Sequence, residues 1–303
     1  MQRAVIMNRT VLPHQTFLTA LALDWLIIAA IIWTAGILNN FFFYGLAILI
    51  IGSRQHALGV LGHEGAHNLI STNRKMNDWL TNLFCAWPLA LCIDSYRTSH
   101  LLHHKHLGTE KDSELEYLTN YNVPTSKLKI FATFLHNILG LGLFKIIKFL
   151  YIFRPRTVKG FIGPVLMPLA FIALAVYTHT AWIPAIWYLS LATSFWAIFN
   201  VRPWFEHIGV EHKGHSITHR FTPNWLEQFI FFPHNFWLHY EHHKWPNIPF
   251  YNLPLKREND ESIPIITTFE VLNQLCNYPT QQPINSGNSS ESSEVQLNSV
   301  NSY

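Results

Sequence analysis

Four apolar stretches of membrane-crossing length constrain this chain more than any other feature, because a backbone in lipid must satisfy its own hydrogen bonds, which a helix does. They run about Phe17 to Leu38, Phe41 to Gly62, Phe161 to Tyr177 and Trp182 to Val201. The first, about 22 residues, is longer than the apolar region of a signal peptide, so it reads as a transmembrane helix even though Arg3 and Arg9 precede it. Very short links near Asn39-Asn40 and Thr178 to Ala181 join the stretches in two pairs, and each pair reads as a helical hairpin. With 49% hydrophobic and 13% charged residues in 303, the chain suits one membrane domain. Asp24 is costly in lipid and is expected to face a protein interior.

Two further segments are apolar but unfit to cross. Trp79 to Ile93 is short and contains Pro88, which suits a re-entrant or interfacial segment. Ile130 to Tyr151 carries Lys145 and Lys148 among its apolar residues and is expected to lie along the interface. All 21 Lys and Arg residues fall in Met1 to Arg9, Arg54 to Lys159 or Arg202 to Arg257, leaving both hairpin tips without one. The positive-inside rule then puts the tips outside and both termini in the cytoplasm. The expected organisation is a cytoplasmic segment over 1–16, a membrane domain over 17–278 and a disordered Gln-, Asn- and Ser-rich tail over 279–303. A net charge of +3 with no long basic run gives no reason to expect a nucleic-acid partner, and Cys85, Cys92 and Cys276 form no C-x-x-C pair.

The chemistry lies in histidine spacing. His63-x-x-x-His67, His100-x-x-His103-His104 and His239-x-x-His242-His243 are three boxes whose members share a helix face at i, i+3 and i+4. A lone histidine is usually a surface or satisfied core residue, but eight in such boxes exceed what one tetrahedral ion needs and point to two ions. The deduced topology puts all three boxes on one side of the membrane. Box one also satisfies H-E-x-x-H with Glu64, the signature of a membrane zinc protease, yet that chemistry would leave six boxed histidines without a role. A metal transporter would need ionisable residues within its spans, where Asp24 stands almost alone.

Box order, and the placement of two boxes before and one after the second hairpin, resemble the membrane fatty acid desaturase superfamily, which includes membrane hydroxylases and carotenoid oxygenases. The segments RQHALGVLGHEGAH, YRTSHLLHHKH, RPWFEHIG and FFPHNFWLHYEHHKWPNIPFYNLP carry the likeness across about Arg54 to Pro254. The resemblance implies an all-α membrane protein, with four transmembrane helices in two hairpins and a cytoplasmic helical cap holding a dimetal site. It implies two iron ions, O2 as co-substrate and an external electron donor, ferredoxin or cytochrome b5, since neither end has the length for a fused donor domain. A lipid-soluble substrate, an acyl lipid or a carotenoid, would enter from the bilayer. Desaturation of an acyl chain is the leading expectation, and a carotenoid hydroxylase or ketolase is the alternative within the same chemistry.

The implied ligands are the eight boxed histidines and His207, whose place in Glu206-His207 matches a further family histidine. His56 is expected to support the site by a hydrogen bond. Ligand imidazoles commonly pass their second N–H to a carboxylate, for which Glu64, Asp112, Glu116, Glu206 and Glu241 are candidates. His106, His212, His215, His219 and His234 read as solvated or structural, and His14, His136 and His179 are excluded.

Overall fold

The computed structural model describes residues 13–114, 126–208, 210, 217–258 and 263–277. Both expected terminal segments lie largely outside these residues, as do Glu116, His212 and His215. Four described helices are long and apolar enough to cross a membrane: α1 (Pro13–Leu38), α2 (Phe41–Ala66), α7 (Val158–Tyr177) and α8 (Trp182–Glu206). Between α2 and α7 come α3 (Arg74–Thr81), α4 (Ile93–His106), α5 (Lys127–Ile138) and α6 (Leu143–Ile152). After α8 follow the short helices α9 (Trp225–Ile230), α10 (His239–Lys244), α11 (Leu253–Glu258) and α12 (Thr268–Asn277). The expectation of a wholly helical fold needs one correction. Phe221–Thr222 (β1) and Ile266–Thr267 (β2) pair in parallel, closing the chain around the segment that holds box three.

Local chemistry explains the boundaries. Asn40 caps α2 by accepting from the Phe42 N–H at 2.8 Å, and Thr157 caps α7 by accepting from Gly160. α3 runs into a π-turn at Asn82–Ala86 and a 3-10 turn at Trp87–Leu89, where Pro88 and a left-handed Ala90 (φ 59°) stop it. The segment Ile130 to Tyr151 becomes two helices, because Gly140 (φ 73°) breaks the run.

α2 and α8 exceed their apolar runs and end in the histidine-bearing region, since their last turns are buried by protein. Gly52 makes their close approach feasible: a Cβ there would stand 2.5 Å from the Phe195 backbone nitrogen. The contact falls on a π-turn of α8 at Leu191–Phe195, where Ser194 Oγ donates to the Ile48 carbonyl of α2 at 2.5 Å. Small residues at a helix contact are how membrane helices gain dispersion energy when lipid offers no hydrophobic drive. Asp24 faces inward as expected, being 2% exposed and ion-paired to Arg54 of α2.

Candidate metal centre

Box one closes α2. His63 lies in its last turn and His67 is the residue just beyond, so the C-terminal carbonyls, with acceptor capacity left at the helix end, sit beside the ligands. Arg97 of α4 uses that capacity, donating from Nε to the Ala66 carbonyl at 3.0 Å and from Nη2 to the Gly65 carbonyl at 2.9 Å. A cation at a helix C-terminus also meets the negative end of the dipole. Asn77 also donates to the Gly65 carbonyl at 2.9 Å, beside the Asn68 N–H at 3.1 Å, and Asp94 and Asp78 neutralise Arg97. One buried side chain thereby ties box one to box two, which begins three residues further along the same helix.

Box three is fixed from the other side. Arg220 donates to Glu241 Oε1 at 2.7 Å, to the Ile263 carbonyl at 2.7 Å and to the Arg257 carbonyl at 3.0 Å. Glu241 lies between His239 and His242, so this fork orients the short helix α10.

The structure brings all nine expected histidines together, in two groups. His63, His67, His100, His104 and His242 converge in one; His103, His207 and His243 form another, with His239 beside His207. Within the first group Nε2 atoms face each other at 3.0 Å for His67 with His100, His100 with His104, and His104 with His242. In the second, His239 Nε2 lies 3.0 Å from His207 Nε2 and 3.1 Å from His243 Nε2.

These spacings test whether a metal fits. A ring nitrogen offers one in-plane hydrogen or lone pair, so His100 Nε2 cannot satisfy two neighbours by hydrogen bonding. A cation at the focus can serve all of them. Two nitrogens at right angles, each about 2.1 Å from one ion, would lie about 3.0 Å apart. His63 adds to the case, since both its ring nitrogens are buried without a hydrogen-bond partner. Five imidazoles in the first group also exceed tetrahedral zinc and argue against the protease alternative.

Several rings have their outer nitrogen occupied. His103 Nδ1–H donates to Asp112 at 2.9 Å, and Asp112 is itself held by the Gly108 and Glu114 N–H groups. His207 Nδ1–H donates to the Ile217 carbonyl at 2.8 Å, and His100 Nδ1 faces Glu114 at 3.4 Å. Such contacts fix both tautomer and ring orientation. Burial, reinforced by Arg97, pushes His67 down to about 4, and burial with His67 and His103 nearby pushes His104 to about 2. His100, His207, His239, His242 and His243 are lowered by burial first and then by other histidines of the cluster. Burial also opposes charging of His103, but Glu114 and Asp112 outweigh it and raise the group. Most of the cluster is thus neutral near pH 7, the form that binds metal.

The other candidates divide. Asp112 contacts a boxed histidine directly. Glu206 pairs with Arg202 at 2.8 Å while lying near His207 and His239. Glu64 lies 3.8 Å from His63 Nδ1 and accepts the Phe250 N–H at 3.0 Å, joining box one to the chain after box three. Glu241 serves Arg220 rather than a ring. His56 faces the Phe231 carbonyl at 3.1 Å, not a boxed histidine. His219 bonds the Ile208 carbonyl, while His136 and His179 are exposed. Arg97, Arg220 and Glu114 escaped sequence reasoning. Glu114 stood two residues from Asp112, but nothing in sequence marks which surface arginine turns inward.

The fatty acid desaturase family model matches residues 39–264. Dihydrorhizobitoxine desaturase of Bradyrhizobium elkanii is 30% identical over 77% of this chain and 72% of its own length. Human sphingolipid delta(4)-desaturase/C4-monooxygenase is 31% identical over 68% of this chain and 62% of its own. The sn-1 acyl-lipid omega-3 desaturase (ferredoxin) of Synechocystis sp. is 32% identical over 31% of this chain and 26% of its own.

Proposed function

The chain belongs to the fatty acid desaturase family, a membrane family of oxidoreductases, and on that premise we propose that it desaturates an acyl chain of a fatty acid or membrane lipid. The observation that carries this reading is the division of nine histidines into two adjoining groups, with nitrogen spacings that suit a shared cation. We assign them as ligands of two iron ions: His63, His67, His100, His104 and His242 to one, His103, His207, His239 and His243 to the other. Bound there, the metals would supply, from O2 and two electrons, an oxidant strong enough for an unactivated C–H bond.

The protein's own part is orientation and exclusion. Asp112 and the Ile217 carbonyl hold His103 and His207 in one tautomer. Asp112 and Glu206 are outer supports on this reading, whereas Glu64, His56 and Glu241 act by holding backbone or Arg220. A small cavity lined by His63, His239 and His242 with Glu64, His234 and Phe236 adjoins the ligand sets. The spans pair as two hairpins with tips outside, so that both termini and the site face the cytoplasm. Substrate enters laterally from the bilayer, and electrons come from a ferredoxin or cytochrome b5-type donor, the former named in the Synechocystis relative.

The three relatives carry three different substrate names at about this identity, so none of them fixes the substrate of this chain, and the acyl chain is proposed from the family as a whole. Oxygen insertion is the second reading, favoured by the C4-monooxygenase in the human relative's name. Accurate-mass profiling of lipids and pigments, from a host expressing the wild type or His103→Ala, tests both. An acyl chain two hydrogens lighter only with the wild type is the expected result. Carotenoids gaining oxygen would move the assignment to a hydroxylase or ketolase, and no wild-type-specific product would overturn it.

A further inference from the structure

Box three is reached through a turn with unusual backbone. His234 (φ 53°) and Asn235 (φ 57°) are both left-handed and stand ahead of Phe236 and α10. Two consecutive non-glycine residues in that region are costly and persist only where surroundings impose them. The surroundings here are the first two membrane helices. His234 Nε2 lies 2.7 Å from Asp24 Oδ2 of α1, whose other oxygen accepts from Arg54 Nη1 of α2 at 2.9 Å. Asn235 Nδ2 donates to the Phe250 carbonyl at 3.1 Å, fastening the turn on its far side.

α2 also grips the chain just before this turn. Ser53 Oγ donates to the Phe229 and Ile230 carbonyls at 3.1 and 3.2 Å, Arg54 donates to Phe229 and stacks on its ring at 4.0 Å, and His56 faces the Phe231 carbonyl. These are the last carbonyls of α9 and that of the residue after it, which a helix end leaves without intrahelical donors. Downstream, Phe236 places its ring edge-on to His63 at 5.5 Å and tilted to His239 at 5.3 Å. His234 and Phe236 both line the cavity beside the ligands. An ion pair inside membrane helices is expensive to bury, and here it ends on the box-three turn.

We propose that Asp24, Arg54 and His234 form an ionic latch that positions the third histidine box, and with it Phe236 and the cavity wall, from the first two membrane helices. These are positioning residues. None reaches the convergent nitrogens, and the latch acts through the turn. The inference rests on the desaturase reading for its effect on reaction but not for its effect on structure.

The test uses full-length protein in lipid nanodiscs, with cobalt(II) as the metal probe. Asp24→Asn alone strands a buried guanidinium and is expected to cost folding. The informative variants are therefore His234→Phe, which keeps the Asp24–Arg54 pair, and Asp24→Asn/Arg54→Met, which removes both charges. In both, amide exchange over 231–243 should quicken about tenfold, while boxes one and two exchange as in wild type. Cobalt stoichiometry should be retained, with an altered ligand-field spectrum, and product formed per O2 consumed should fall. Wild-type exchange over 231–243 with an unchanged cobalt spectrum in both variants would overturn the latch. Wild type that consumes no O2 and makes no product would instead sink the desaturase reading, leaving the exchange and cobalt measurements to decide the latch.

Discussion

The four long apolar helices are of two kinds. In α1 and α7 only 22% and 11% of the most apolar window is buried by protein, against 67% in α2 and 56% in α8. The outer pair is also the more apolar. Every histidine of box one, together with Gly52, Ser53 and Arg54, belongs to the inner pair or the residue after it. The outer helices leave most of their apolar surface uncovered by the rest of the chain, with Asp24 as the buried exception. Hydropathy alone ranks the helices in the reverse order of their relevance to the site, because an inner helix can afford polar residues that other protein covers.

The largest effects should come where the inner helices end. His242→Ala removes a ring from the five-imidazole group and His103→Ala one from its neighbour, so each should reduce product to background and lower iron per chain, measured by elemental analysis beside product mass. His179→Ala, at an exposed link between α7 and α8, should change neither. Full activity in either box variant would end the two-iron proposal. Asp112→Asn should act less severely, lowering metal affinity or activity by about 10- to 100-fold.

Next in size is the backbone anchor of box one. Arg97 is 4% exposed and holds two carbonyls and two carboxylates, so Arg97→Met should destabilise by about 3–5 kcal/mol in thermal unfolding. The same change at Arg74, whose side chain is 70% exposed, should cost under about 0.5 kcal/mol. Equal losses would mean that the inward turn of Arg97 carries no energy.

These examples mark what was legible in the sequence. Spacing identified the boxed histidines because i, i+3, i+4 geometry is local, and apolar length identified the spans for the same reason. The partition into five and four rings, the fork of Arg220 and the path from Asp24 to His234 depend on residues up to 210 positions apart, for which no local period exists. His234 read as solvated or structural, and only the fold shows what it is tied to. The two-residue strands were invisible because β1 and β2 are too short to carry a pattern.

Acidification should single out the site end of the inner pair. The folded-state pKa of His67 is depressed to about 4 by burial, so in metal-free protein the unfolded chain takes up a proton first as pH falls below about 6.5. Stability from this group is full above the unfolded value and is lost as pH falls towards 4. The other lowered histidines add in the same direction, while His103, raised by its carboxylates, opposes them. Unfolding midpoints between pH 7.5 and 5 should therefore drop in apo protein, and His67→Gln should flatten the slope. A midpoint that rises on acidification would contradict the neutral-cluster reading.

Within α2 the two kinds of environment can be separated by one atom. Gly52→Ala forces a Cβ against the α8 backbone and should cost about 1–3 kcal/mol. Gly45→Ala has nothing within 4 Å of the new atom and should stabilise by up to about 1 kcal/mol through helix propensity. Matching effects would show that α2 and α8 are not in close contact at Gly52.

The smallest expected effect is the sharpest test of the outer helices. Leu169 lies in the middle of α7 and is 57% exposed, whereas Leu58 of α2 is fully buried. Leu58→Ala should cost about 2–5 kcal/mol, since it removes packed atoms and leaves a cavity. Leu169→Ala exchanges contacts with lipid for other contacts with lipid, so its cost should stay below about 0.5 kcal/mol. Both are measured by thermal unfolding in the same nanodiscs. If Leu169→Ala costs as much as Leu58→Ala, the exposed face of α7 is covered in the native assembly by protein rather than lipid, and the distinction between outer and inner helices holds for the single chain alone.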